Sequence, residues 1–599
     1  MLDLRRLAAA SLFVGLIAPS SAGSAPAQTE DELRADVAVL TGPGTEGRAV
    51  GSPGAALARR YLISELEALG AAPLPDAREL GLPFGFLAQV DDLGSSLTAG
   101  GHKRFGGDQV RAFAFSETGE ARGELLFAGF GIRVPENSEV RYDSYAGQDV
   151  RDRVAVVLEG APAEAEDGTL ATLRRHASLR AKAAAARDRG AAGLVVLSER
   201  EAFDPEDRTA PGFDIAAPGS QGVVTVRIDR AAGERLLAGS GLTLEGARRE
   251  LDRGDPGEAR LLPGFATLTV SLDRVRASGA NVAALLPAAD GRLAPPWIAI
   301  GAHYDHLGMG GASSLNPHGG APAVHPGADD NASGTAAVLA VARAVAASPL
   351  DRPLLVAFWS GEESGLLGSN AFVSDRIRPE DVAAYVNLDM VGRLRENRLT
   401  VQAMGSASVW PSIVERANVP GGFDLALSDD PWLPTDSSAF NAAGIPTLNL
   451  FTGTHPDYHR PSDTPDRLNY PGLARVARFA GLVARRVAAI DPPPEFLRVE
   501  RAAADTPARA SMSVYTGTIP EYATEIEGLL LGGVMEGGPA EKAGLRKGDV
   551  IVEFGGAAIL TIYDYMGALE AVRIGEPVTV TFLRDGERHT VTLVPTARP

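Results

Sequence analysis

Histidine is scarce in this chain, and most of it is concentrated in one stretch. Six of the nine histidines lie between residues 303 and 459. In the same stretch, residues of metal-binding type follow apolar, strand-like runs or precede a predicted helix: His303, Asp305, Asp329, Glu362, Glu363, Asp389 and His459. In open α/β sheets, ligand sites lie beyond the carboxyl ends of the strands. We therefore expect these side chains to meet at one edge of a sheet.

The residue types fit a metal site that carries out hydrolysis. Imidazole and carboxylate groups bind Zn²⁺ or a similar divalent ion. The chain has no cysteine, so no thiolate contributes to such a site. Two histidines with three or four carboxylates exceed the three protein ligands of one catalytic zinc, which favours two ions sharing a carboxylate. Such a pair lowers the pKa of a bound water and stabilises both sides of a hydrolytic displacement.

Neighbouring residues suggest a division of roles. Of the adjacent pair Glu362 and Glu363, one carboxylate would bind metal and the other would accept the proton of the attacking water. Asp305 would accept the second ring N–H of His303 and fix its tautomer. The remaining histidines of the stretch are expected to line the mouth or the loops rather than bind metal: His306, His318, His325 and His455. Each pattern alone is also typical of a surface turn or a helix cap, and only the combination favours a metal hydrolase.

The elements that must position these residues alternate between apolar strands and amphipathic helices from about residue 265. The predicted strands are 297–301, 354–358, 384–388, 399–401 and 445–450, and the predicted helices are 333–347, 366–374, 409–417 and 472–489. Strands alternating with helices predict a mixed, mostly parallel sheet flanked by helices, an α/β fold.

Five motifs in this stretch resemble the dinuclear-zinc exopeptidases related to bacterial secreted leucyl aminopeptidases. They are Gly301-Ala-His-Tyr-Asp-His, Gly327-Ala-Asp-Asp-Asn-Ala-Ser-Gly-Thr, Phe358-Trp-Ser-Gly-Glu-Glu-Ser-Gly-Leu-Leu-Gly-Ser, Asn387-Leu-Asp-Met-Val-Gly-Arg and Asp457-Tyr-His-Arg-Pro-Ser-Asp-Thr. Thr45-Glu-Gly-Arg with Gly51-Ser is similar to the family's N-terminal entry motif. The resemblance implies the zinc exopeptidase fold and two Zn²⁺ ions, with other divalent ions as alternatives.

The resemblance also implies a role for each residue. His303, Asp329 and Asp389 would bind one metal, and Asp329, Glu363 and His459 would bind the other. Glu362 would be the general base, and Tyr458 would steady the developing oxyanion. A cis peptide at Asp329–Asp330 is expected. The family's Ser-Asp-His is replaced here by Thr435-Asp436-Ser437-Ser438, which leaves the ligands intact and puts the substrate preference in doubt.

Two flanking blocks resemble other modules. Residues 120–262 resemble a protease-associated domain, acting either as a lid or as a structural insert. Residues 511–599 resemble a PDZ domain, with Gly528-Leu-Leu-Leu-Gly-Gly-Val as its carboxylate-binding loop and strand, so a peptide C-terminus is an expected partner. The expected organisation is a signal peptide at 1–27, peptidase segments at 28–119 and 263–493, the insert between them, and a linker at 494–510 before the PDZ domain.

Charge and the N-terminal pattern restrict partners and location. The formal charge of −19 over 599 residues argues against a nucleic-acid binder. Arg5 and Arg6, the apolar run 7–17 and Ala25-Pro26-Ala27 are typical of a secretory signal, so we expect export to the periplasm or beyond. No later stretch predicts a membrane span. The sequence does not predict the oligomeric state.

Together these features predict a secreted two-zinc aminopeptidase acting on peptides. Three alternatives stay open: a carboxypeptidase or other amidohydrolase with the same site, a glutaminyl cyclase on the same scaffold, and a non-catalytic peptide-binding protein. The complete ligand set disfavours the last two.

Overall fold

The computed structural model describes residues 27–597 except 101–102, 136–137, 139, 165–166, 205–208, 211–218, 311–312, 316–321, 500–513, 521–527, 536, 560–564, 566–567, 570–571 and 573. The predicted signal peptide, apart from its last residue, and most of the predicted linker lie outside these residues. No helix in the described ranges combines the length and the apolar character that crossing a bilayer requires.

The helices and strands are as follows, in chain order. The helices are α1 (Ala27–Leu40), α2 (Pro53–Ala68), α3 (Asp167–Arg175), α4 (Leu179–Asp188), α5 (Arg230–Leu237), α6 (Leu244–Leu251), α7 (Gly334–Ala347), α8 (Leu367–Arg376), α9 (Trp410–Gly421), α10 (Ser437–Ala442), α11 (Tyr470–Ala488) and α12 (Pro539–Lys542). The strands are β1 (Gly81–Asp92), β2 (Ser96–Ala99), β3 (Lys103–Phe105), β4 (Val110–Ala112), β5 (Gly119–Phe127), β6 (Val154–Leu158), β7 (Gly193–Leu197), β8 (Val224–Ile228), β9 (Arg260–Val270), β10 (Leu272–Leu286), β11 (Trp297–His303), β12 (Leu354–Trp359), β13 (Val382–Leu388), β14 (Arg398–Gln402), β15 (Asp424–Leu427), β16 (Thr447–Phe451), β17 (Val514–Tyr515), β18 (Thr518–Pro520), β19 (Leu529–Val534), β20 (Val550–Phe554), β21 (Ala557–Ala558), β22 (Val578–Arg584), β23 (Glu587–Leu593) and β24 (Thr596–Ala597).

The first of the two larger sheets is mixed and has eight strands. Its order is β1-β10-β12-β11-β13-β16-β14-β15. The central strands β12, β11, β13 and β16 are parallel to one another, whereas β1, β10 and the β14–β16 pair are antiparallel to their neighbours. The central strands are buried along their whole length, as expected for strands covered by helices on both faces. The predicted mixed α/β fold is confirmed.

The long antiparallel pair β1–β10 was not predicted. β1 lies within the Gly- and Pro-rich segment 71–115, where glycines and prolines obscure the alternation of buried and exposed side chains. Eleven residue pairs join β1 to β10, from Gly81 with Val282 to Asp92 with Leu272. The pair extends beyond the edge of the sheet and leads the chain into and out of a second sheet.

The second sheet has the order β3-β2-β9-β5-β6-β7-β8-β4. It contains β2 to β4, which were expected in the peptidase segment 28–119, and β9 runs past the expected border at residue 262 to Val270. The sheet therefore moves the borders of the insert outward, to between residues 92 and 96 and between 270 and 272. Its assignment as a protease-associated domain stays a prediction.

The C-terminal sheet has the order β18-β19-β20-β22-β23, with β21 paired to β20. β19 lies between β18 and β20 and pairs with both. The expected role of Gly528–Val534 as a peptide-accepting strand is therefore wrong, because neither side of β19 is available for a further strand. The strand at this edge is β18.

Candidate metal centre

The central parallel strands end at the same edge of the sheet and carry the predicted residues there. His303 is the last residue of β11 and is in register with Trp359, the last residue of β12. Glu362 and Glu363 follow within four residues of that point, and Asp389 directly follows β13. A loop after β16 returns His459 to the same edge. The expected convergence at the carboxyl ends of the strands is what the structure shows.

Asp330 lies between the two histidines. Its Oδ1 is 3.3 Å from Nε2 of His303, and its Oδ2 is 3.3 Å from Nε2 of His459. Asp389 Oδ1 is 3.4 Å from Nε2 of His303, and Glu363 Oε2 is 3.0 Å from Nε2 of His459. Two donor sets thus share one carboxylate, which is the arrangement expected for a pair of ions.

Asp329, the residue expected to bridge, does not occupy this position. Its Oδ2 is 3.0 Å from Nε2 of His455, and its Oδ1 accepts hydrogen bonds from the amide of Gly392 and the hydroxyl of Ser333. Because both oxygens are used in this way, the geometry corrects the expectation from Asp329 to Asp330. The cis peptide joins Asp330 and Asn331 rather than Asp329 and Asp330.

The donor atoms are suited to a cation. The Nε2 atoms of His303 and His459 are buried and make no hydrogen bond to any described residue, although each faces two carboxylates. Buried imidazoles directed at carboxylates without hydrogen-bond geometry are left unsatisfied unless a cation lies between them. Ligand atoms of His303, Glu362 and Asp389 lie within 4.8 Å of one another, and so do those of His306, Asp330 and Glu363. These residues fit Zn²⁺ in both chemistry and spacing.

Burial and charge act in opposite directions on this centre. Burial disfavours the charged form of His459, but Glu363 and Asp330 outweigh that effect and raise its pKa to about 10. Burial and the charge of Asp330 oppose ionisation of Glu363, yet His459 and His306 lower its pKa to about 2. The Glu363 carboxylate is therefore held in the ionised form that binds metal.

Asp305 is placed beside His303, but in a different role from the expected one. The nearest acceptor to His303 Nδ1 is the main-chain oxygen of Asp305 at 3.2 Å, whereas the Asp305 carboxylate is 3.7 Å away. That carboxylate instead accepts a hydrogen bond from the main-chain N–H of Glu362 at 3.2 Å. Asp305 thus orients both the histidine and the turn that carries Glu362 and Glu363.

His306 is closer to the centre than expected. Its Nδ1 is 2.8 Å from Glu363 Oε1 and 3.9 Å from Asp330 Oδ2. The sequence did contain a sign of this position, because His306 is the second histidine of the Gly301-Ala-His-Tyr-Asp-His motif. His325 is bonded to Ser314, and His455 supports Asp329, so both serve the loops as expected. His318 lies outside the described residues.

Two buried groups hold the ligand loops in place. The Arg48 guanidinium, in the predicted entry motif, donates to the main-chain oxygens of Tyr304, Leu40, Pro326 and Gly327 at 2.6–3.0 Å. Asp463 Oδ2 accepts the main-chain N–H groups of Asp329 and Asp330 at 2.9 and 3.1 Å. Together they fix the chain that leads into the shared carboxylate of Asp330.

A pocket opens beside Asp389. It is lined by Asp389, Met390, Gln402, Leu433, Pro434, Thr435, Asn449, Phe451, Thr454 and Tyr458. The side-chain amides of its floor are engaged with one another, since Asn449 donates to Gln402 at 2.7 Å and accepts from Asn387 at 2.9 Å. Tyr458 stacks on His459, with ring centroids 3.8 Å apart. Thr435, where the chain departs from the family pattern, lies in this pocket wall.

Comparison with known proteins identifies two parts of the chain. Residues 281–484 match peptidase family M28, and residues 517–594 match the PDZ domain. The chain therefore contains an M28 peptidase domain, the zinc aminopeptidase family, followed by a PDZ domain. Both resemblances predicted from the motifs are confirmed.

Individual relatives are similar over the same region. Aminopeptidase YwaD of Bacillus subtilis (strain 168) is 30% identical over 187 residues, covering 29% of this chain and 37% of that protein. Leucine aminopeptidase 2 of Trichophyton rubrum is 31% identical over 166 residues, covering 26% and 30%. A solved aminopeptidase from Aneurinibacillus sp. strain AM-1 is 21% identical with a TM-score of 0.45, covering 80% and 96%. The chain spans about a third of the length of the two curated relatives.

Proposed function

We propose that this protein is a zinc-dependent aminopeptidase that hydrolyses N-terminal residues from peptides. The observation that carries the proposal is the position of Asp330 between His303 and His459, with Asp389 on one side and Glu363 on the other. These five residues would hold two Zn²⁺ ions, with Asp330 as the shared ligand. Bound zinc would supply an activated water and polarise the scissile carbonyl.

The chain's own residues would then handle the protons and the developing charge. Glu362, which is buried beside His303 and Asp389, would accept the proton of the attacking water and pass it to the leaving amine. Asp305 would keep the Glu362 turn in place through its hydrogen bond to the Glu362 amide. Tyr458, at the pocket wall, would donate to the oxyanion.

The lining of the pocket favours peptide substrates whose N-terminal residue has an apolar side chain. Met390, Leu433 and Phe451 supply apolar wall, and the polar floor is satisfied internally. An anionic side chain there would lose its hydration beside Asp389 without gaining a partner. The acidic groups at the cleft suit the free ammonium group of a substrate. We expect leucine-like residues to be preferred.

Hydrolysis of matched peptides by the zinc-loaded full chain tests this function. Leucyl peptides with a free N-terminus should be cleaved, and their N-acetylated forms should not. Cleavage of N-acetylated peptides from a free C-terminus would instead favour a carboxypeptidase. Absence of turnover on every peptide, with zinc bound, would refute the peptidase function.

Export is a separate part of the proposal and rests on the N-terminal sequence pattern. The protein recovered from its source should begin close to Gln28, since Ala25-Pro26-Ala27 is typical of a signal cleavage site. N-terminal sequencing of that protein decides the matter, and a retained Met1 would refute export by this signal.

A further inference from the structure

The edge strand of the PDZ domain is joined to the wall of the pocket. Thr454, which lines the pocket, donates a hydrogen bond from Oγ1 to the main-chain oxygen of Pro520 in β18, at 3.0 Å. A second contact joins the same loop to the domain, since Arg460 Nη2 lies 3.6 Å from Met535 Sδ. β18 therefore begins a surface that continues directly from the candidate active site.

The main chain of β18 shows which of its groups face outward. Gly517 oxygen accepts the amide of Met535 and so points toward β19, whereas Pro520 oxygen points the other way, to Thr454. Because main-chain groups alternate in direction along a strand, those of Thr518 face the same way as Pro520, away from β19. No described strand pairs with β18 on that side. Thr518 and Pro520 are half-buried rather than covered.

The start of β18 has the shape of a carboxylate-binding turn. Gly517 has a left-handed conformation with φ of 72°, and a Cβ at this position would lie 3.3 Å from Gly538 and Pro539. The Thr516 oxygen accepts the amide of Ala540, which fixes the turn against the domain. Tyr565 lies beside it, with its hydroxyl 2.8 Å from Thr516 Oγ1. Turns of this kind, placed before an edge strand, capture peptide carboxylates in PDZ domains.

We propose that β18 binds the C-terminal part of the same peptide whose N-terminus enters the metal centre. This inference rests on the proposed aminopeptidase function. A peptide held by its carboxylate at Gly517 must run antiparallel to β18, because its remaining residues extend from the start of the strand toward Pro520. Its N-terminal end is thereby directed to Thr454 and the pocket. The substrate class is short peptides with both termini free.

The length of the strand sets the length of the preferred peptide. Three strand residues span roughly 10 Å. About three peptide residues would pair with β18, and at least about two more are needed to carry the scissile bond into the pocket. Peptides of about five residues or more should therefore use both sites, whereas dipeptides should use the pocket alone.

A length series of leucyl peptides, each as free acid and C-terminal amide, tests the proposal on the zinc-loaded full chain. The acid-to-amide ratio of kcat/KM should be near one for dipeptides and rise to about tenfold or more from about five residues, because the carboxylate hydrogen bonds are charge-assisted. Thr518→Pro removes the outward N–H and should abolish the rise. Thr518→Val keeps that N–H, loses the hydroxyl contact with Tyr565, and should retain the rise.

Leucyl p-nitroanilide, which is too short to reach β18, separates this inference from the proposed function. Each variant's peptide data are normalised to its own anilide turnover, which reports on the metal centre. Anilide turnover with an acid-to-amide ratio that stays flat at every length would overturn the inference alone. No turnover of the anilide or of any peptide would overturn the proposed function.

Discussion

Asp329 and His455 form a buried contact, with Oδ2 of the aspartate 3.0 Å from Nε2 of the histidine. The carboxylate directly before Asp330 is thus used to support the ligand loop, and only Asp330 faces both His303 and His459. Two adjacent aspartates of identical chemistry therefore have separable roles.

Substitution of each aspartate by asparagine should separate these roles. Asp330→Asn removes the shared ligand and should abolish binding of at least one ion and nearly all turnover. Asp329→Asn alters a supporting contact and should weaken zinc affinity about 10–100-fold, as is typical of residues that orient ligands. Zinc content after dialysis against graded chelator measures both, and a greater loss in Asp329→Asn would contradict the geometry.

Arg48→Met should destabilise the fold around the candidate metal centre. The guanidinium satisfies four buried main-chain oxygens, and methionine fills similar space without a donor. Leaving those acceptors unpaired should lower the free energy of unfolding by about 3 kcal/mol or more. Urea denaturation measures the change, with Arg276→Met as an exposed control. Equal stability of the two variants would refute this role of Arg48.

Lys182 should make the stability of the insert depend on pH. Burial lowers its pKa from 10.5 to about 7, with Arg248 adding to the shift and Glu159 opposing it. Between these two pKa values, Lys182 binds more protons in the unfolded state than in the folded state. The free energy of unfolding therefore rises with pH until the pH passes the pKa of Lys182 in the unfolded state. Between about pH 7 and pH 9, the free energy of unfolding of the wild type should rise by about 2 kcal/mol relative to that of Lys182→Met. Parallel stability profiles for the two proteins would exclude the shift.

Tyr458→Phe should lower kcat more than it alters KM. The ring stacks on His459 and would keep that contact as phenylalanine, whereas the hydroxyl proposed to donate to the oxyanion is lost. A loss of about 10²-fold in kcat is expected for one oxyanion donor. Steady-state kinetics on leucyl p-nitroanilide measure it, and a change confined to KM would show that Tyr458 only shapes the pocket.

The bounds of the central strands could be predicted because apolar runs alternate with helices. The strand predicted at 354–358 is Leu354–Trp359, and the helix predicted at 333–347 is Gly334–Ala347. The residue types at the ends of these strands were enough to predict where His303, Asp389 and His459 would meet.

Other features depend on local geometry that residue types do not encode. Asp329 and Asp330 have the same side chain, and only the conformation of the turn 328–333 decides which one faces the histidines. β1 was hidden because Gly81, Pro83 and Gly85 interrupt its pattern. The peptide-accepting edge was assigned to β19 because Gly528-Leu-Leu-Leu-Gly-Gly-Val resembles the carboxylate-binding loop and strand of PDZ domains, whereas pairing on both sides excludes it.

In the proposed mechanism, a zinc centre built on Asp330 works with Glu362 as the proton acceptor. The most direct test is zinc content together with leucyl peptide turnover in wild type and Glu362→Gln. We expect about two zinc ions per chain in both proteins and a loss of about 10²–10⁴-fold in kcat for the variant. Near-wild-type turnover by Glu362→Gln with its zinc retained would contradict the account.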